Sequence, residues 1–380
     1  MKLNTLLLIA VVVFGCKTNE KEQSDYIKIS QTTPSLNDII EFDNYFEISE
    51  LIYLESNDTS IIDFVHKIVA DDYLFIKGGG AVYKFDKEGN FISKIERGKD
   101  GPNEFKNLTD IILLKEEKRI WIYDSNKRNI LQYDYDFNFE LNYKLQYPFF
   151  GIEKITDGLL GTAGYMMVTD KPNSLIKFSG ENLATGYSLE ESFLPFEEEK
   201  SKYLHVGRND YFSKSDKGGF NFINSFNDTI YHIDESGIPK IEYYIDFGNK
   251  KVSKDDLTKR EYSTIVDVFR YINTTDKSFN IGNVFQSNNF LTYSFFNSGK
   301  SFISVYNKTD KSLVSGNKIK LKYRNVETVI SIDEEMSIGS FGDGRGYISL
   351  PTESILLEKD QKMFNSKEGD NPVIIIFREK

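Results

Sequence analysis

Residues 82–95 read VYKFDKEGNFISKI, two short apolar runs separated by an Asp-x-x-Gly turn at 86–89. Aspartate favours the start of a tight turn, and glycine adopts the positive φ that such a turn needs, so this stretch predicts a β-hairpin. The strand before the turn has four counterparts, ILQYD, LIKFS, IYHID and VYNKT, which end at Asp134, Ser179, Asp234 and Thr309. Successive turn positions are 48, 45, 55 and 75 residues apart. The recurrence predicts a repeated unit built from β-strands.

The first two hairpins are preceded by further apolar runs, KIVADDYLFIK at 67–77 and DIILLKEEKRIWIYD at 110–124. Four short strands in about 45 to 50 residues is the period of a β-propeller blade. The runs are continuously apolar, which is typical of sheets covered on both faces, as stacked blades are. A β-sandwich with accidental spacing is the alternative.

Each end of the chain carries one strand that lacks a partner in its own unit. NYFEISELIYLES at 44–56 precedes the first full unit, and NPVIIIFREK at 371–380 follows the last. Pairing these two strands in one blade would remove exposed sheet edges. With five repeated units, this predicts an all-β fold at 42–380: a six-bladed β-propeller in which the N- and C-terminal strands close one blade.

Two segments interrupt the strand pattern and predict short helical insertions, at 253–272 and 352–365. In the first, Ser253 and Asp256 have the spacing of a capping box. Four apolar residues then follow helical spacing: Leu257, Ile265, Phe269 and Ile272. We expect this stripe to pack against its own domain, and a partner-binding helix is the alternative.

The first residues predict export. Lys2 precedes the apolar run LLLIAVVVF at 6–14, which is far shorter than the roughly 20 residues that cross a bilayer. Gly15 then precedes Cys16, the only cysteine, in an order that resembles a bacterial lipoprotein signal. We therefore expect a signal peptide at 1–15, acylation of Cys16, and a polar, flexible tether at 16–41. A plain signal peptide with an incidental cysteine is the alternative.

Four motifs in order carry a family resemblance: EISELIYLESNDTSIIDFVHKI at 47–68, GKDGPNEF at 98–105, NDTIYHI at 227–233 and DNPVIIIF at 370–377. Together they resemble the six-bladed β-propeller lipoproteins of Bacteroidota, over essentially the whole chain after the signal. The resemblance implies the fold, an acylated cysteine and a lipid-anchored place in the cell envelope, at the outer membrane and facing the periplasm or the cell surface. It implies no catalytic residue.

Net charge and residue types limit the partners and the kinds of site that the sequence predicts. The net charge is −11, and no basic cluster offsets it, so a nucleic-acid partner is not expected. There are three histidines, and none of the common nucleophile, phosphate-loop or zinc motifs is present. We predict no catalytic residue, no metal site and no cofactor. Calcium is left open at FGDGRG, 341–346, because its oxygen ligands need no signature residue.

Propeller geometry predicts where a ligand would bind. Loops that enter each blade, and loops between its second and third strands, share the face around the channel mouth. The candidate ligand-binding residues in these loops are Arg97, Asp100, Asn103, Glu104, Arg128, Tyr147, Phe149, His205, Arg208 and Asp210. Aromatic rings beside polar groups suit sugars or peptides. In the alternative interpretation, Phe149 belongs to the core and Glu104 binds loop amides.

Three functions from different classes remain. The leading hypothesis is a binding or scaffold module for a glycan, a peptide or a partner protein in the cell envelope; low histidine content favours it. A propeller enzyme of the lyase or lactonase type would need a cluster of His, Asp or Glu at the channel mouth. Apolar side chains at the channel mouth would favour the third hypothesis, a structural component of the envelope. Thr229, in DTI at 228–230, is either an O-glycan acceptor or a structural strand residue.

Overall fold

The computed structural model of the protein consists mostly of β-strands with a few short helices. It describes residues 26–98, 101–182, 186–197, 210–258, 262–332, 336–356, 363–364, 366–367 and 369–380. The predicted signal peptide and Cys16 lie outside these ranges, as do Asp100, His205 and Arg208. No helix within these ranges is long and apolar enough to cross a membrane.

Three four-stranded antiparallel blades follow the first repeats in chain order. Blade 1 contains β4–β7, at Val65–Ala70, Leu74–Gly78, Ala81–Phe85 and Phe91–Glu96. Blade 2 contains β8–β11, at Leu108–Leu114, Arg119–Asp124, Asn129–Asp134 and Phe139–Lys144. Blade 3 contains β12–β15, at Gly151–Ile155, Gly158–Thr162, Asn173–Asn182 and Gly186–Pro195. In each, the predicted hairpin supplies the two outer strands.

Two more blades have the same design. Blade 4 contains β16–β19, at Phe212–Lys214, Phe220–Phe222, Thr229–Ile233 and Pro239–Asp246. Blade 5 contains β20–β23, at Ser278–Gln286, Phe290–Asn297, Lys300–Asn307 and Leu313–Gly316. Each of the five recurrent sequence motifs is therefore a third strand with its following turn.

The prediction of six blades is wrong, because the described part of the chain forms seven sheets. The additional blade, blade 6, is a short sheet of three strands: β2 (Ile39–Glu41), β24 (Lys318–Tyr323) and β25 (Val326–Ser331). Its hairpin turns at Arg324 and Asn325, which both have positive φ, and it lacks the Asp-x-x-Gly signature. Among the described residues it has no innermost strand of its own, and β20 contacts the first strand of blade 7, β26 (Ser337–Ser340), directly.

Blade 7 closes the ring as the sequence predicts. It contains β26, β27 (Arg345–Leu350), β28 (Val373–Glu379) and, as its outermost strand, β3 (Phe46–Tyr53). The N-terminal strand β3 thus pairs antiparallel with the C-terminal strand β28, from Phe46↔Glu379 to Tyr53↔Val373. The predicted clasp of the two ends is confirmed.

The structure differs from the predicted tether at 16–41, because part of that segment belongs to the propeller. Strand β1 (Ile27–Ser30) pairs parallel with β19 on the rim of blade 4, and β2 pairs parallel with β24 in blade 6. Ile29 and Ile40 are buried. These two side chains pack the segment onto the rim, and its composition alone does not indicate this. We call residues 27–41 the rim segment.

The first helical insertion is two helices, α1 (Lys254–Thr258) and α2 (Ile265–Asn273). The predicted capping interaction is present, since the Ser253 backbone N–H donates to Asp256 at 2.7 Å and the Asp256 backbone N–H donates to Ser253 Oγ at 3.2 Å. Val268 and Ile272 pack in a cluster with Phe279 of blade 5. The stripe therefore packs against its own domain. In the second predicted insertion, α3 spans Thr352–Leu356.

Strand order defines two faces of the propeller. Loops that enter the innermost strands, and loops between second and third strands, lie on what we call the upper face; the other turns lie on the lower face. The core consists of side chains packed between neighbouring blades, such as Phe75, Ile111 and Leu131 between blades 1 and 2. The innermost strands β4, β8, β12, β16, β20 and β26 surround the central channel.

Candidate functional site

The central channel is narrow. It encloses a cavity of about 80 Å³ lined by residues from all six innermost strands. Because a buried water needs roughly 10–15 Å³ of such space, the cavity holds a small cluster of waters and is far below the roughly 300–1,000 Å³ of a typical ligand pocket. A ligand of ordinary size would therefore bind at a mouth of the channel.

Four charged side chains form a ladder across blades 1 to 4. They occupy the third position of successive innermost strands: Lys67, Asp110, Glu153 and Lys214. Lys67 Nζ lies 2.8 Å from Asp110 Oδ1, and Lys214 Nζ lies 3.4 Å from Glu153 Oε1. The two cations and two anions neutralise one another, and all four line or border the cavity, so the channel is charged rather than apolar.

Asp110 has contacts at both carboxylate oxygens. Besides Lys67, it accepts hydrogen bonds from the backbone N–H groups of Ile111 at 2.8 Å and Ile152 at 3.1 Å. Ile152 belongs to blade 3, so this one carboxylate joins three blades. An acid with three donors around it is held in place, and this geometry favours a structural role for Asp110.

Burial and charge together set the protonation of the channel cations. Burial alone would lower the pKa of Lys67, but the carboxylates of Asp110 and Glu153 outweigh it and raise that pKa. Burial lowers the pKa of Lys77 to about 8. The negative charge of Asp110 opposes this shift in part, and the positive charge of Lys67 adds to it. Burial and the charge of Lys77 lower the pKa of His66 to about 4. At neutral pH, His66 is an uncharged ring beside the channel.

Asp210 is the predicted site residue that lies in the channel wall. Its Oδ2 accepts a hydrogen bond from the backbone N–H of Asn283 at 2.6 Å. Asn283 in turn accepts from the backbone N–H of Ile338 through Oδ1 at 3.1 Å. The contacts connect blades 4, 5 and 7 around the mouth. The structure thus places Asp210 at the channel, as a group that holds neighbouring blades together.

The loop RGKDGPNEF at 97–105 connects blade 1 to blade 2 on the upper face. Phe105 is buried between these blades, and Glu104 Oε2 accepts from the backbone N–H of Gly101 at 2.8 Å. The carbonyl of Asn103 accepts from the Tyr133 hydroxyl at 2.8 Å. Glu104 therefore binds a loop amide, as in the structural interpretation, while Asn103 and Glu104 keep exposed side chains.

The upper-face loops of blades 1 to 3 are joined by hydrogen bonds. Lys127 Nζ donates to the carbonyls of Gly101 and Glu104, each at 3.0 Å. Arg128 Nη1 donates to the carbonyl of Gln146 at 3.0 Å. Of the predicted residues, Asn103, Glu104 and Arg128 are exposed in these connected loops.

The predicted aromatic platform at 147–149 is mostly core. Phe149 is buried against Phe178, and its backbone N–H donates to the Tyr123 hydroxyl at 2.7 Å. Tyr147 is half-buried beside the same cluster. Phe149 is therefore not available to a ligand, in agreement with the alternative interpretation.

Sequence reasoning missed an exposed aromatic ring on the upper face. Phe64, just before β4, is 40% exposed and stacks on His66 with ring centroids 5.3 Å apart and an angle of 16°. On the neighbouring blade 2, Asn107, Thr109 and Ser125 form a small hydrogen-bonded group. The only sequence indication was an aromatic residue at the start of an innermost strand, which usually means core.

The structure also bears on the predictions for Thr229, for calcium at the 341–346 loop and for metal sites. Thr229 is buried at the start of β18, with its backbone N–H bonded to Asn227 Oδ1 at 3.1 Å, which favours the structural interpretation. In the 341–346 loop, Arg345 Nη2 donates to Asp343 Oδ2 at 2.6 Å, so an arginine already binds that carboxylate. No group of three or more His, Cys, Asp or Glu that could hold a metal occurs within the described residues.

Blades arranged in a ring around a narrow channel define the protein as a β-propeller. The chain belongs to the family of the domain of unknown function DUF4934, whose model matches residues 25–378. No functionally curated protein matches the sequence.

Two solved structures are similar in fold. A protein described as exported, from Bacteroides fragilis NCTC 9343, has a TM-score of 0.72 and 17% identity, with coverage of 93% of this chain and 99% of that chain. A member of the DUF4221 family from Bacteroides vulgatus ATCC 8482 has a TM-score of 0.54 and 11% identity, with coverage of 88% and 98%. At these identities the likeness concerns the fold alone.

Proposed function

We propose that the protein is an extracytoplasmic, lipid-anchored binding module that meets a glycan, peptide or partner protein on the upper face of its propeller. The observation that carries this proposal is the upper surface itself: hydrogen bonds from Lys127 and Arg128 join the loop at 124–129 to the loops that lead into blades 2 and 3. Loops fixed by a rigid scaffold are where propellers and other β folds present binding residues.

The channel geometry supports binding at the mouth rather than inside. A cavity of about 80 Å³ is far below the roughly 300–1,000 Å³ of a typical ligand pocket. The charges of Lys67, Asp110, Glu153 and Lys214 are paired with one another. A ligand would have to break these pairs to enter, whereas the exposed upper loops accept a ligand without that cost.

Export is supported by the order of Lys2, the apolar run at 6–14 and Cys16. The description of the similar Bacteroides fragilis protein as exported agrees with this location. The direction of the rim segment fits a lipid anchor. Strand β19 runs from the lower to the upper face, and β1 is parallel to it, so the chain reaches Ile27 from the lower side.

Labelling with radioactive palmitate in a bacterial host that acylates lipoproteins tests the anchor. The wild-type chain should incorporate label and fractionate with membranes, and Cys16→Ser should do neither. An unlabelled wild-type chain would contradict the anchoring.

A thermal-shift screen of the full chain carrying Cys16→Ser tests binding. The probes are neutral oligosaccharides, acidic oligosaccharides, a peptide library and CaCl2. We expect one class to raise Tm progressively with concentration, because a ligand that binds the folded state stabilises it by mass action. A flat response to every class would overturn the binding proposal.

A further inference from the structure

Phe64 is an exposed aromatic ring on a fixed support. The segment before it is held by a hydrogen bond from the Tyr83 hydroxyl to the carbonyl of Ile61 at 2.9 Å. On the other side, the backbone of Gly78 approaches so closely that a Cβ there would lie 2.3 Å from the carbonyl oxygen of Phe64. Because only glycine allows that approach, the ring is presented by blade 1 itself rather than by a free loop.

The ring that backs Phe64 is uncharged at neutral pH. His66 stacks under Phe64 at 5.3 Å, and burial together with Lys77 lowers its pKa to about 4. The two rings form a single flat platform, of which Phe64 is the exposed side. A flat, neutral aromatic surface suits the C–H face of a pyranose ring.

A group of polar side chains lies at the corresponding position of the next blade, blade 2. Asn107 Nδ2 donates to Ser125 Oγ at 2.9 Å and to Thr109 Oγ1 at 3.1 Å, and Thr109 Oγ1 donates to Ser125 Oγ at 2.7 Å. The Asn107 side chain is exposed, and the two hydroxyls are partly so. Hydroxyl and amide groups that can both donate and accept match the hydroxyls of a sugar.

The two features lie on adjacent blades. His66 and Thr109 are both second residues of innermost strands, in blades 1 and 2, which lie side by side. Lys77 joins them, because its Nζ donates to the carbonyl of Thr109 at 2.5 Å and its charge acts on His66.

We propose that Phe64, stacked on His66, and the Asn107–Thr109–Ser125 group together form a binding site for a neutral carbohydrate. The inference rests on the proposed function and names the ligand class of its upper face. A neutral sugar is favoured over a polyanion because the protein carries a net charge of −11 and Asp63, next to Phe64, is exposed. Phe64 packs on the sugar ring, and the polar group binds its hydroxyls.

Isothermal titration of the full chain carrying Cys16→Ser tests this site, with cellohexaose, xylohexaose, maltohexaose and mannohexaose as probes. We expect at least one to bind, Phe64→Ala to weaken it by tenfold or more, and Phe64→Tyr to stay within about threefold, since tyrosine keeps the stacking face. Asn107→Ala should also weaken binding. Ile92→Ala, at a position 43% exposed on the outer strand β7, is the matched control and should leave affinity unchanged.

Thermal unfolding of each variant shows whether it folds, and we expect little change for Phe64→Ala because the ring is exposed. Binding that persists unchanged in Phe64→Ala would overturn the site, as would no binding of any of the four hexasaccharides. A peptide that binds the upper face while all four fail would overturn this inference and leave the proposed function in place.

Discussion

Asp110 is the residue on which the contacts of the channel converge. It is buried and accepts hydrogen bonds from Lys67, Ile111 and Ile152, which belong to three different blades. The side chain of Lys67 is 15% exposed, and Asp110 and Glu153 raise its pKa against the effect of burial. Loss of the Asp110 charge would leave an ammonium group without its nearest partner inside the channel.

We therefore expect Asp110→Asn to lower the free energy of unfolding by about 3–5 kcal/mol, the usual cost of breaking one side of a buried ion pair. Urea unfolding measures it. The control is Asp72→Asn, since Asp72 is exposed and its partner Lys118 also binds Asp71; its effect should stay within about 1 kcal/mol. Equal effects of the two substitutions would show that the ladder is not a structural element.

His66 makes stability depend on pH. It binds its proton near pH 4 in the folded state, against 6.5 ordinarily, so the unfolded chain binds more protons between these values. Stability should therefore fall as the pH decreases from 6.5 towards 4. Because the ring is partly exposed, we expect this one group to contribute only about 1–2 kcal/mol.

The variant His66→Asn should remove that contribution. Urea unfolding at pH 7 and pH 4.5 gives the loss of unfolding free energy on acidification for the wild type and for the variant. The effects of all other titrating groups cancel when the two losses are subtracted. Parallel losses of stability in both proteins would contradict the assignment.

At the scale of elements, the rim segment stabilises the propeller from outside. Gln31, directly after β1, is buried and accepts hydrogen bonds from the Tyr293 hydroxyl at 2.6 Å and from Ser304 Oγ at 2.9 Å. Its Nε2 donates to Ser315 Oγ at 3.0 Å. One side chain thereby joins the rim segment to three strands of blade 5.

We expect Gln31→Ala to destabilise the protein by about 1–3 kcal/mol, because the buried Tyr293 and Ser304 lose their acceptor. Chemical denaturation is the measurement. Leu36→Ala, at a position of the same segment that is 50% exposed, should change stability by less than about 0.5 kcal/mol. A neutral Gln31→Ala would mean that the rim segment is only loosely attached.

The sequence predicts those elements that carry a local signature. In hairpins such as 82–95, residues that favour a tight turn lie between two apolar runs. The unpaired end strands 44–56 and 371–380 indicate the closing blade. The rim segment could not be found in this way, because β1 and β2 pair in parallel with strands far away in the chain. Blade 6 was missed because its turn at 324–325 has no glycine.

The candidate site is less visible in sequence than the fold. Lys67, Asp110 and Glu153 follow one another at intervals of 43 residues, and that spacing was the available indication of the channel ladder. Phe64 gave no such indication, because exposure of an aromatic residue depends on how the loop before β4 rests on Gly78. Of the loop residues that were predicted, Phe149 belongs to the core and Asp210 to the channel wall.

At the scale of the whole molecule, we propose that a lipid anchor at Cys16 lies on the side opposite the upper face. The chain reaches β1 from the lower side, and Ile27 lies 11 positions after Cys16, a reach of at most about 40 Å. An acyl group on Cys16 would hold the lower face nearer the bilayer and leave the upper face open to a ligand.

This orientation can be measured on acylated protein bound to vesicles that contain nitroxide-labelled lipid. A fluorophore attached at Glu235→Cys, on the lower face, should be quenched more strongly than one at Asp58→Cys, on the upper face; both positions are exposed. Unanchored protein carrying Cys16→Ser is the control and should show neither quenching. Stronger quenching at residue 58 would reverse the proposed orientation.

The claim that the upper face binds the ligand is tested most directly by hydrogen exchange of the full chain, with and without the hexasaccharide that binds best. We predict slower exchange in segments 57–68 and 105–109, around Phe64 and Asn107, and unchanged exchange in the lower-face turns at 71–73, 86–90 and 234–238. Protection confined to the lower-face turns or to the rim segment would contradict the account.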